Sequence, residues 1–294
     1  MTDHLALGLG LAFCSAMAAN FGFFFKFRGV RGRPAIALRR PLRAARILVR
    51  SGWFMVGIAV ATAGWALHVA ALWVAPMSVV QAALAAGVVF IAVLADRMFG
   101  FSVGPRQWTG LLMAAGGLLL LGATLPAVHG AHASFTGATM IAFELFATAL
   151  AVALLAAPRL GGSVEQHGVM LGAAAGILFG VSDTAIKALT GVADAHGAAG
   201  VLSSPLFAVS VVASFAALFA SARALQIGEA VPVIAVTGTA ANVAGIGGGV
   251  IVFGDPVAGG AAGVAAQVLA FALIVAAAAI LPAPVRSARV AEAA

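Results

Sequence analysis

Asp183 and Lys187 stand four residues apart inside a long apolar run. On a helix that spacing puts both on one face, with the acid N-terminal to the base. Ionisable groups are costly to hold in apolar surroundings, so each needs a partner or a task. The pair either neutralises itself or forms a substrate or ion site that opens when a cation displaces Lys187 from Asp183. Glu144 lies in a second apolar run, where a carboxyl group can take up and release a proton as a proton-coupled carrier requires. His68 lies in a third and is its expected partner, or else an interhelical hydrogen-bond contact.

Neutral polar residues extend the set. Gln81, Asn242, Thr237 and Thr239 are expected to line a central cavity or to bond helix to helix, and Asn20 belongs with them. Asp96 and Asp255 fall at the ends of apolar runs and read as caps, while Glu229 opens a run where a carboxylate complements the helix dipole. Gly172, Gly176 and Gly180 recur every four residues, a ridge for close helix approach, and Ala241, Gly245 and Gly249 repeat it. Nothing here points to an enzyme. No phosphate-binding loop follows a strand pattern, and His129 and His132 have no further ligands nearby for a metal. The single cysteine, Cys14, excludes an intramolecular disulfide and reads as a small packing residue. No cofactor is implied.

These residues are carried by a chain that is 63% hydrophobic and 9% charged, with a mean hydropathy of +1.12. Apolar stretches of about 20 residues recur, each long enough to cross a bilayer as a helix. The expected fold is therefore all-α: a polytopic membrane protein, one membrane domain over 1–294. Nine transmembrane helices are expected near 5–25, 52–73, 77–95, 107–126, 137–157, 168–190, 204–225, 231–253 and 259–281.

Charge sets the expected orientation. Nine of the sixteen cations fall between Lys26 and Arg50. With the N-terminus outside, that segment is cytoplasmic, as are Arg97, Arg106, Arg159, Arg223, Arg286 and Arg289, leaving only Lys187 near the outer side. A net charge of +7 then reflects membrane anchoring rather than nucleic-acid binding. Within the segment, Arg39, Arg43, Arg46 and Arg50 follow helical spacing, with Ile36, Leu42 and Leu48 expected on another face. The expected element is an amphipathic surface helix that meets anionic lipids.

The halves echo each other. Ala71-Leu72 and Ala224-Leu225 each close a helix that leads into a small-residue helix and then an acid, and both opening helices close on a lysine, Lys26 and Lys187. A first repeat over 5–126, a linker helix over 137–157 and a second repeat over 168–281 make two inverted four-helix repeats, a plan used by secondary transporters.

The segment APMSVVQAALAAGVVFIAVLADRMFGFSVGPRQWTGLLMAAGGLLLLG resembles the repeat ending of the drug/metabolite transporter superfamily, EamA-like in type. SFAALFASARALQIGEA followed by VFGDP is similar to the small multidrug resistance pattern, and nine spans with a basic loop after the first resemble the NIPA-like magnesium transporters. The resemblance implies a secondary transporter in the cell membrane, moving a metabolite or organic cation by alternating access with ion coupling. A magnesium or divalent-cation transporter is the alternative, with Asp183 and Glu144 as hard ligands. A non-transporting scaffold or lipid-binding protein is the alternative of another class. A homodimer is compatible with all three.

Overall fold

The computed structural model of the chain describes residues 2–36, 40–75, 77–86, 104–124, 134–157, 164–255 and 259–280. Among these residues every regular element is a helix: α1 (Thr2–Val30), α2 (Pro41–Val49), α3 (Gly52–Val74), α4 (Met77–Ala86), α5 (Pro105–Thr124), α6 (Gly137–Ala156), α7 (Val164–Ser203), α8 (Pro205–Ile227), α9 (Ala230–Phe253) and α10 (Gly260–Ile280). Among the described residues six stretches are long and apolar enough to cross a bilayer: Leu7–Val30, Gly52–Val74, Gly137–Ala156, Gln166–Ser203, Pro205–Ile227 and Ala230–Phe253. The protein is a multi-pass helical membrane protein. The far end of the expected 77–95 span, and Asp96 with it, lie outside the described residues, as do His129 and His132.

Helix ends follow local chemistry. Ser51 caps α3, its Oγ accepting from Phe54 N–H, and the same hydroxyl donates to the Gly29 carbonyl at 2.8 Å. One short side chain thus ties the end of α1 to the start of α3. Thr136 and Ser204 cap α6 and α8 in the same way. α9 stops at Gly254, whose left-handed backbone (φ 68°) lets Asp255 N–H reach the Gly249 carbonyl. α7 breaks at Gly197 (φ 63°), beyond the 168–190 span expected from hydropathy.

Two pairings dominate the packing, α1 along α3 and α7 along α8, and α9 lies against α7. The α1–α3 contact needs glycine. A Cβ on Gly57 would sit 2.7 Å from the Gly22 carbonyl and 2.8 Å from the Lys26 side chain, and one on Gly64 would sit 2.9 Å from Ala18 Cβ. The expected ridge at Gly172, Gly176 and Gly180 makes the same close approach, to α9: a Cβ on Gly176 would overlap the Thr237 carbonyl. Ser182 bonds across to α8, donating to the Ser210 carbonyl at 3.1 Å and pairing with Ser214 Oγ at 2.7 Å. α4 lies among α1, α5 and α9, while α5 packs against α10. α6 lies on α7, burying only the stripe Met140, Phe143, Ala147 and Ala151.

The basic segment departs from expectation. α1 runs on to Val30, so Lys26 and Arg28 are helical rather than in a loop. The surface helix begins at Pro41, not at residue 36, because proline fixes the first helical turn. That start sets the phase, so Ala44 and Leu48 face inward and Leu42 is 87% exposed. Arg39 lies outside the described residues. Residues 31–36 form a strap across the α8–α9 corner. Gln226 holds it, donating to the carbonyls of Arg33 (3.0 Å) and Pro34 (2.9 Å) and accepting from Ile36 N–H and Arg223. Arg31 donates to the Gly228 carbonyl at 2.9 Å. Burial pulls its guanidinium below the ordinary value, and the Glu229 carboxylate pulls it back. Cys14 is exposed on the outer face of α1 rather than packed inside.

Candidate functional site

Asp183 sits where α3, α4 and α7 meet. His68 Nε2 lies 3.2 Å from its Oδ1, and Gln81 donates to its Oδ2 at 3.2 Å. The imidazole is within ion-pair distance but not aligned for a hydrogen bond, so that contact is electrostatic. His68 and Gln81 are buried, and Asp183 keeps 16% of its side chain accessible. Gln81 fits because α9 carries glycine opposite it: a Cβ on Gly245 would fall 2.5 Å from Gln81 Cδ.

The three groups face a cavity of about 200 Å³ bounded by α1, α3, α4, α7 and α9. Asn20 and Asn242 line it as well, so five of the seven expected site residues converge there. Phe23, Trp65 and Phe179 give it aromatic walls. Thr237 lines it too, with its hydroxyl spent on the Val233 carbonyl at 2.7 Å. Thr239 instead lines a separate, apolar cavity of about 410 Å³ beside α6, with Phe143, Phe146 and Leu150. Residues two apart on a helix point to opposite sides, so Thr237 and Thr239 cannot both line one cavity.

The remaining two expected residues lie elsewhere. Lys187 does not pair with Asp183. Its ammonium donates to the carbonyls of Leu72 (2.7 Å) and Ala75 (3.0 Å) at the end of α3. The sequence contains the reason. The helical donor to Leu72 O would be the N–H of residue 76, a proline, which has none. A buried cation at a helix C-terminus also complements the dipole, and the charges of Asp255 and Asp194 act on the same ammonium. Asp255, expected as a helix cap, is thereby part of the Lys187 environment. Glu144 is not partnered by His68 and does not line the cavity, and its Oε1 is buried with no hydrogen-bond donor among the described residues. Glu229 flanks α9 as expected and accepts from Gln107 at 3.5 Å.

The sequence reading missed Lys26 as a site residue. It is buried, with 4% exposure, and it lines the cavity at the end away from His68. Its ammonium lies over the Phe23 ring at 3.9 Å. The signal was its setting among Phe23, Phe24, Phe25 and Phe27, which marks an apolar helix rather than a surface loop.

Such a site can hold a small polar or charged solute away from lipid, with a carboxylate, an imidazole and three side-chain amides. Among the described residues no three His, Cys, Asp or Glu groups gather as a metal site. Compared with family models, characterised proteins and solved structures, the chain has no significant match.

Proposed function

We propose that the chain is a secondary transporter that moves a small solute across the membrane by alternating access, with Asp183 and His68 as its ion-coupled centre. One observation carries the reading: Asp183, His68, Gln81, Asn20 and Asn242, from five helices, face one cavity in an otherwise apolar bundle. Polar groups in a membrane interior are retained where a pathway needs them.

The helix pairings support an inverted repeat. α1 packs along α3 as α7 packs along α8, and α1 touches α8 as α7 touches α3. In that arrangement Lys187 holds the end of α3, while the matching carbonyl at the end of α8, Gly228, is held by Arg31. One end of the bundle is thus closed through the lysine of the second repeat. The matching lysine of the first repeat, Lys26, is turned to the cavity. Rocking about the cavity would exchange these roles. Nine spans with the N-terminus outside and the C-terminus in the cytoplasm remain the topology that places the cations inside. The metabolite or organic-cation reading stands ahead of the magnesium one, because Glu144 lies outside the cavity that holds Asp183.

The test uses Asn242→Cys in a Cys14→Ser background, reconstituted in vesicles of either orientation. Labelling by an impermeant maleimide from both faces is expected. Labelling from one face only, or from neither, would overturn alternating access and leave a non-transporting membrane protein. Magnesium entry measured with an entrapped indicator, abolished by Asp183→Asn, would replace the solute reading with the divalent-cation one.

A further inference from the structure

We infer that the solute is a zwitterion with well-separated charges, such as a short peptide or an ω-amino acid. The inference rests on the cavity being the transported solute's site. The cavity carries one acidic group, Asp183, and one buried ammonium, Lys26, at opposite ends. Lys26 Nζ lies over the Phe23 ring at 3.9 Å, at the cavity wall. A largely buried ammonium that lines a cavity favours an arriving anion, because a charge-assisted bond offsets the cost of holding the charge away from bulk water. At the other end, Asp183 has its oxygens toward His68 and Gln81 and retains exposure to the cavity, which suits an incoming ammonium.

The spacing narrows the class. α1 and α3 run antiparallel, with Gly22 facing Gly57 and Ala61, and Gly64 facing Ser15 and Ala18. That register puts His68 level with the part of α1 near residue 13, so its backbone and that of Lys26 are about 20 Å apart along the helices at 1.5 Å per residue. The lysine folds back over Phe23 and the histidine leans toward its own N-terminus, as helical side chains do, leaving the Lys26 ammonium and the His68–Asp183 contact on the order of 10 Å apart. A contact of about 2.8 Å at each end leaves roughly 4–5 Å between the solute's own charged atoms. An α-amino acid, with one carbon between its charged groups, is too short. A second residue adds up to about 3.8 Å when fully extended, so a partly folded dipeptide or a short ω-amino acid spans the gap. Trp65 and Phe179 give the uncharged middle an apolar wall.

Radiolabelled glycylglycine binding to the purified protein in nanodiscs tests this, with glycine, glycylglycinamide and n-butylamine as competitors. Glycylglycine should bind at least about tenfold tighter than glycine or glycylglycinamide, the size of one lost charge-assisted bond. In Lys26→Gln the advantage over glycylglycinamide should vanish, while Lys26→Arg keeps it and shows that the helix still folds. Equal binding of glycylglycine and its amide, or an advantage that survives Lys26→Gln, would overturn the inference. Binding of n-butylamine alone would also overturn it, yet leave the transport reading intact. One-sided labelling of Asn242→Cys would remove the transport reading itself.

Discussion

Replacing Lys187 by methionine isolates the contact that ties α7 to the end of α3. The ammonium donates at 2.7 Å and 3.0 Å to two carbonyls, and Leu72 O has no helical donor because residue 76 is proline. Methionine matches the stem and leaves both acceptors unpaired in a site where Lys187 itself has no exposure. Each buried, unsatisfied acceptor costs about 1–3 kcal/mol. The ammonium's own desolvation, which methionine avoids, offsets part of this. The net cost is then about 2–4 kcal/mol against the state in which α7 holds α3, or a 30- to 700-fold rise in opening at about 1.4 kcal/mol per tenfold. Hydrogen exchange of the peptide covering residues 66–75, read by mass spectrometry in nanodiscs, should show that loss of protection locally. Lys187→Arg should retain most of it. A change below threefold, or an equal loss in every helix, would refute the clamp.

Three further outcomes follow from the same geometry. Gly245→Ala should push the Gln81 amide off Asp183 and cost about 1.5–3 kcal/mol, the worth of a bond to a charged group; adding Gln81→Ala should recover part of the melting temperature, since the clash goes with the side chain. Glu144→Met removes a carboxyl group whose buried Oε1 has no donor among the described residues, so thermal stability should hold or rise while solute binding stays unchanged; a loss of binding would move Glu144 into the site. Arg33, Arg43, Arg46 and Arg50 line a groove of about 530 Å³ beside the exposed Leu42. Arg43→Ala with Arg46→Ala should weaken retention of phosphatidylglycerol in native mass spectrometry by about 1 kcal/mol per arginine, without altering solute binding.

Much of the architecture is legible in the chain because bilayer thickness is a one-dimensional constraint. Apolar length with proline, glycine and charge breaks located α3, α5, α6, α8, α9 and α10 to within a few residues. Asn20, His68, Gln81, Asp183 and Asn242 could be singled out for the same reason, since polar groups are rare in apolar runs. Pairing was not legible. The i, i+4 spacing of Asp183 and Lys187 permits an ion pair but does not require one. Tertiary packing brought Asp183 to His68 and Gln81, and brought Lys187 to the Leu72 and Ala75 carbonyls at the end of α3. The strap held by Gln226 spans about 190 residues of sequence, and no local pattern announces it. The sequence by itself determined which segments are apolar enough to lie in a membrane and which polar residues go with them, because transfer from water to lipid acts on each residue separately. Only the tertiary structure decided which of those polar groups meet, because a hydrogen bond depends on two side chains arriving at one point from different helices.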